Sequence, residues 1–195
     1  MPGYVLTGTP GAGKTAVLRL LEAGGQVVVE EAATDTIALD HALGLLEPRH
    51  DNTFIDRVVA LQRQRQRLVD AAATVFFDRS PVCTLALSLY LGLTTSPLLA
   101  SEVDQVLAER VYETTVFFVR NQGFVQPTAA RRISFADSLA FERVHELTYR
   151  ELGFDLVEVP AGPLPERVAL VRRTVERLAT AVTPAPTRAG DPRRC

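Results

Sequence analysis

Residues 8–15 read Gly8-Thr9-Pro10-Gly11-Ala12-Gly13-Lys14-Thr15 and fill the pattern G-x-x-x-x-G-K-[ST] completely. That pattern carries meaning only between a strand and a helix. Both are expected here: residues 4–7 are an apolar run, and helical character continues beyond the loop to about residue 23. Glycines let the backbone curl so that several N–H groups aim at one phosphate, which then rests on the positive end of the helix. The cradle is expected to run from Gly8 through Thr9, Pro10, Gly11, Ala12, Gly13, Lys14 and Thr15 to Ala16. Lys14 would bridge the β- and γ-phosphates, and the Thr15 hydroxyl would hold Mg²⁺. Lys14 is also the only lysine of the chain; every other basic residue except histidine is arginine.

Around this loop, short β-rich runs at residues 4–7, 27–31, 74–78, 115–119 and 156–159 alternate with longer helical stretches. The runs are continuously apolar, as parallel strands covered on both faces must be. Strands alternating with helices predict a parallel α/β sheet with right-handed crossovers. Ser80-Pro81 predicts an N-cap followed by a first-turn proline, and Ser134 with Asp137 a capping box with Asp in place of Glu. Val168, Val171, Val175, Leu178 and Val182 recur at helical spacing and predict a buried stripe. Residues 1–182 are expected to form one domain. Residues 183–195, with three prolines and one glycine, are expected to be a frayed tail.

Composition narrows the class. At 195 residues the chain has room for a single continuous core. Its 47% apolar and 23% charged residues exclude a disordered chain. No apolar run approaches the roughly 20 residues that span a bilayer. Cys83 and Cys195 cannot make a disulfide framework. The balance of 21 basic against 23 acidic residues, net −2, argues against a nucleic-acid partner. A cytoplasmic monomer or homodimer without membrane attachment is expected.

Several users of such a loop are excluded by what is missing. Guanine selection through N-K-x-D needs a second lysine. No L-S-G-G-Q run occurs, no space remains for the helical domain of a ring-forming AAA machine, and no G-x-G-x-x-G is present. A compact kinase or a simple ATPase is left.

Strand ends supply further candidates. Asp78 closes an apolar strand where a carboxylate would orient Mg²⁺ and its waters. Arg79 beside it could donate a fork of hydrogen bonds to an oxyanion or a hydroxyl, or the two could merely cap the next helix. Glu30 and Glu31 follow three valines; one of them could address the cleft as a general base, and solvation of both is the bland alternative. Residues 120–134 suit a mobile lid whose Arg131 and Arg132 swing onto transferring phosphates, or else a basic surface loop. In the helix expected over residues 52–72, Arg65 interrupts the stripe Phe54, Val58, Leu61, Leu68 and Ala72, with Gln62 and Gln66 flanking it. Arg65 either looks into a cleft, or snorkels or pairs with an acid. Cys83 reads as a small core residue, and His41, His50 and His145 lack metal-ligand spacing.

The stretches GTPGAGKT, VVVEEAATD, VFFDRSPVCTLAL, ERVYETTVFFV, TAARRISF and HELTYRELGFDLVEVPAGPLPERV, taken in order, resemble the predicted AAA-type P-loop ATPases related to the ribosylnicotinamide kinase domain. The resemblance runs from residue 3 to about residue 182 and is most specific in DRSPVC and YRELGFDLVEVP. It implies a nucleoside- or nucleotide-kinase-like P-loop NTPase fold, with a five-stranded parallel sheet flanked by helices and a small lid, binding ATP and Mg²⁺. Deoxynucleoside kinases are more distantly similar, and that likeness implies Glu31 or Glu30 as the base and Arg79 on the acceptor. The expected activity is transfer of the γ-phosphoryl of ATP to a hydroxyl of a small molecule, nucleoside-like or another metabolite. The alternative is a nucleotide-binding ATPase or switch acting through a protein partner. A tight acceptor pocket lined by Gln62, Arg65, Glu31 and Arg79 would favour the kinase.

Overall fold

The five apolar runs pair side by side as parallel strands in the order β2-β3-β1-β4-β5. The computed structural model describes residues 3–45, 51–69, 73–123 and 134–182. The strands are β1 (Gly3–Thr7), β2 (Val27–Val29), β3 (Val75–Asp78), β4 (Thr115–Val119) and β5 (Asp155–Val159). Between and around them lie α1 (Lys14–Ala23), α2 (Ala32–Ala42), α3 (Asn52–Arg67), α4 (Pro81–Tyr90), α5 (Pro97–Ala108), α6 (Phe135–Glu151) and α7 (Leu164–Val182). β1 sits in the middle, pairing Leu6 with Asp78 on one side and Thr7 with Phe118 on the other.

The pleat divides the strand residues between two apolar layers. Tyr4, Leu6, Phe76 and Phe117 point to the face covered by α1 and α7. Val5, Val75, Phe77 and Val116 point to the opposite face, against Val82 of α4 and Tyr149 of α6. Each fully buried phenylalanine or leucine here contributes roughly 1.5–3 kcal/mol. A third apolar group lies between α2, α3 and α5, with Phe54, Ile55, Val58, Leu99 and Val103 at its centre. Among the described residues no helix is long and apolar enough to cross a membrane.

Local signals translate as expected at several points. Ser134 accepts from the Asp137 N–H at 3.1 Å and donates to the Asp137 carboxylate at 2.6 Å, closing the start of α6. Val168 and Val171 are buried, and Val175 and Leu178 pack on the same layer; the Val182 side chain lies outside the described ones. Ser80 does precede Pro81 at the start of α4, but its hydroxyl meets the Tyr149 hydroxyl at 2.7 Å instead of capping the helix.

Two boundaries differ from the sequence reading by two residues or more. β2 ends at Val29, not at residue 31, because Glu31 already stands in the N-cap position of α2, with φ −62° and ψ 125°. An edge strand has one ladder to hold it, so the following helix takes over early. α3 ends at Arg67, where bonds spanning three residues, from Leu68 N–H to Arg65 C=O and from Val69 N–H to Gln66 C=O, tighten the last turn. Leu68, read as part of the buried stripe, is 79% exposed. Ala72 and the tail 183–195 lie outside the described residues.

Candidate active site

Glycines at positive φ shape the loop between β1 and α1. A side chain on Gly8, at φ 127°, would put its Cβ 2.3 Å from the Val119 carbonyl oxygen. Gly13, at φ 83°, is the N-cap of α1 with no side-chain cap on it. The first-turn amides of Lys14, Thr15 and Ala16 therefore have no intrahelical partner and are open to an anion. Thr9, Pro10, Gly11 and Ala12 complete the curl, with an Ala12 N–H to Thr9 C=O bond of 3.2 Å.

Lys14 is buried and donates through Nζ to the carbonyls of Gly8 and Thr9, at 3.0 and 2.9 Å. Burial, reinforced by the Arg79 charge, lowers its ammonium to about 8. The Thr15 hydroxyl donates to Asp78 Oδ2 at 3.1 Å, while Asp78 Oδ1 is buried with no hydrogen-bond partner. Burial raises the Asp78 carboxyl; Lys14 pulls it back, Glu31 adds to the rise, and the net direction is up.

Arg79 follows β3 with φ 73°, a left-handed conformation uncommon for a residue with a side chain. Its N–H bonds the Leu6 carbonyl at 3.1 Å, so the sheet holds a backbone that costs about 1–3 kcal/mol. The turn aims the guanidinium at α2, where Nε donates to Glu31 Oε1. Glu31 Oε2 accepts from the Thr34 hydroxyl at 2.8 Å. Burial works to raise the Glu31 carboxyl, but the charges of Arg79 and Lys14 outweigh it and hold the group below the usual carboxylate range. Burial likewise opposes the Arg79 charge, and Glu31 more than offsets it. Glu30 faces elsewhere and pairs with Arg19, with both side chains about half exposed.

The other sequence candidates are distributed differently. Arg65 is committed to Asp35 and to the Glu30 carbonyl, the latter at 2.9 Å. Gln62 accepts from the Thr84 hydroxyl at 3.0 Å. Cys83 is a buried core residue whose Sγ lies 3.2 Å from the Thr7 hydroxyl and 3.0 Å from the Tyr149 hydroxyl. Arg120 is tied to Glu142, Glu146 and Glu158 at 2.9, 3.1 and 2.6 Å. Arg131 and Arg132 lie outside the described residues.

Sequence reasoning passed over His145. It is fully buried, its Nδ1 lies 3.1 Å from the Phe141 carbonyl, and its Nε2 is 3.4 Å from Arg79 Nη1. Only Nδ1–H can donate to a carbonyl, so Nε2 is the acceptor that faces Arg79. Burial, then the Arg79 charge, pushes the imidazole down to about 3, so it is neutral. The available signal was the spacing Phe141, His145, Tyr149, which puts a histidine on the sheet-facing stripe of α6.

A family model described as an AAA domain matches residues 3–167, and the chain belongs to that family. No curated protein matches the sequence. Among solved structures, a deoxyadenosine kinase from M. mycoides with bound dCTP is 12% identical. The match covers 90% of this chain and 99% of that one, with a TM-score of 0.60. A thymidylate kinase from Ehrlichia chaffeensis is 12% identical over 90% and 98% of the two chains, with a TM-score of 0.57. A NadR protein in complex with NAD and AMP-PNP is 14% identical and covers 96% of this chain but 52% of its own, with a TM-score of 0.61. At these identities the likeness shows the fold: the α/β P-loop fold of nucleoside and nucleotide kinases.

Proposed function

We propose that this chain is an ATP-dependent kinase that transfers the γ-phosphoryl of ATP to a hydroxyl of a small, nucleoside-like molecule in the cytoplasm. The observation that carries the reading is the partly buried Arg79–Glu31 pair beside Lys14 and Asp78. Hydrolysis at a phosphate loop calls for no strained arginine locked onto a second carboxylate. An acceptor hydroxyl calls for both an orienting fork and a base.

The donor set fits magnesium. Thr15 Oγ1 and Asp78 Oδ2 stand 3.1 Å apart, and Asp78 Oδ1 is unpartnered. Among the described residues no group of three or more His, Cys, Asp or Glu could hold a metal alone, so phosphate oxygens and waters would complete the shell. When bound, the ion neutralises charge on the phosphate oxygens. Lys14 would exchange its two loop carbonyls for phosphate oxygens. Arg79 keeps Glu31 ionised, and Glu31 would orient the acceptor hydroxyl and take its proton. Low basicity suffices, because a loose transition state asks the base for little until late. Arg131 and Arg132 would close on the transferring oxygens once both substrates are present.

The test is a thermal-shift screen of nucleosides and other hydroxylated metabolites, run with a non-hydrolysable ATP analogue and Mg²⁺. ADP release is then measured with each hit. A small molecule that adds to the analogue's shift and accelerates ADP release supports the kinase. If none does and a protein partner stimulates turnover instead, the kinase reading falls.

A further inference from the structure

Arg167, near the start of α7, is 5% exposed, so its guanidinium is carried into the protein. Among the described residues its hydrogen bonds go to backbone carbonyls alone. Nη2 donates to Ala12 O at 2.8 Å and, at 3.4 Å, to Arg120 O. Nε is buried with no partner, and no carboxylate among the described residues forms an ion pair with this arginine. A buried cation without a counter-charge is unfavourable. Shape alone does not explain it, since an uncharged donor would satisfy the Ala12 carbonyl.

Its location suggests what the charge is for. The Ala12 carbonyl and the Gly13 N–H are the two ends of one peptide group, and Gly13 is the N-cap of α1 inside the phosphate cradle. A Cβ on Gly13 would lie 2.8 Å from Arg167 Nη1, so a bare glycine backbone is all that separates the guanidinium from the cradle. A charged donor on the carbonyl end of a peptide polarises it and makes its N–H end a stronger donor. A bound polyphosphate would bring this cation a negative charge.

We infer that Arg167 is a nucleotide-positioning residue. It polarises the Ala12–Gly13 peptide toward a bound polyphosphate and takes the phosphate charge as its counter-ion. The inference rests on the reading of the loop as a phosphate cradle but not on the kinase reading, since a switch or an ATPase would use Arg167 identically.

The experiment uses the full chain as wild type, Arg167→Lys and Arg167→Gln. Calorimetry measures affinity for AMP-PNP with Mg²⁺ and, separately, for inorganic triphosphate. Arg167→Gln keeps a donor and loses the charge; it is expected to weaken both ligands by about tenfold. Arg167→Lys keeps the charge and is expected to lose no more than about threefold. Equal affinities in all three proteins would make Arg167 a simple tie between α7 and the loop and overturn the inference. Equal losses in Lys and Gln would overturn it too, because charge would then be irrelevant. A wild type that binds neither probe would instead dispose of the phosphate cradle itself. Should Arg167→Gln not fold, the wild type still decides. On adding AMP-PNP, the Gly13 amide and the Arg167 guanidinium resonances are both expected to move in NMR spectra. Movement of Gly13 with Arg167 unmoved would defeat the proposal.

Discussion

Arg79 Nε donates to Glu31 Oε1, tying the residue just after β3 to the residue just before α2. Neither belongs to a regular element, and the two are 48 positions apart in sequence. What brings them together is the left-handed turn at Arg79 and the early end of β2. His145 closes the far side of the guanidinium, so one arginine is held from two directions.

The pair makes the two adjacent acids unequal. Glu31→Gln is expected to lower kcat by about 10²-fold or more while leaving ATP affinity nearly intact. Glu30→Gln loses a half-exposed ion pair with Arg19 and is expected to change little. Steady-state ADP release with the identified acceptor measures both. Small, equal effects would remove Glu31 from the chemistry.

Lys14→Ala is expected to abolish turnover and weaken nucleotide binding while the protein stays folded. The lysine also predicts a proton signature. With its pKa lowered to about 8 from 10.5, the folded protein binds fewer protons than the unfolded chain across that window, so this group's contribution to stability rises with pH there. Phosphate beside Nζ would restore the charge. Nucleotide binding above pH 8 is thus expected to take up a proton and to weaken as pH rises. Calorimetry in two buffers of different ionisation heat counts that proton.

His145 gives a third prediction. His145→Gln keeps an acceptor where Nε2 stands and is expected to preserve acceptor KM, whereas His145→Leu is expected to raise it about tenfold with ATP KM unchanged. The imidazole is held neutral down to about pH 3, against 6.5 unfolded. Its contribution to stability is therefore complete above pH 6.5 and is lost as pH falls from there toward 3. Urea unfolding across that range is expected to show a shallower acid loss in His145→Gln than in the wild type.

The arginines of the expected lid are tested together. The double variant Arg131→Ala, Arg132→Ala is expected to keep slow basal hydrolysis and most of its nucleotide affinity but to lose the acceleration that an acceptor brings. ADP release with and without acceptor, for variant and wild type, reads this directly.

The phosphate loop and the five strands were legible in the sequence because each is a local pattern: a fixed motif, or an apolar run of the right length. The sheet order was not, since it depends on which runs meet across the fold. Asp78 could be placed by its position at a strand end, but the choice between Glu30 and Glu31 needed the backbone after Val29. Arg65 showed itself as an interruption in a stripe, and only Asp35 and the Glu30 carbonyl, some 30 residues away in sequence, decided its role. His145 was given no role and Arg167 escaped notice because each contacts a loop or side chain far along the chain, with no motif at its own position.

The apolar group between α2, α3 and α5 stands apart from the sheet, meeting the second layer through Leu107 and Leu152. Mutational drift can therefore act on the two halves of the molecule separately. Changes around Ala33, Ile37 or Leu61 would reshape the walls near Glu31 while the loop, braced by β1, β4 and α7, passes unaltered to descendants. A lineage built on this scaffold can vary the surroundings of Glu31 without rebuilding the loop between β1 and α1.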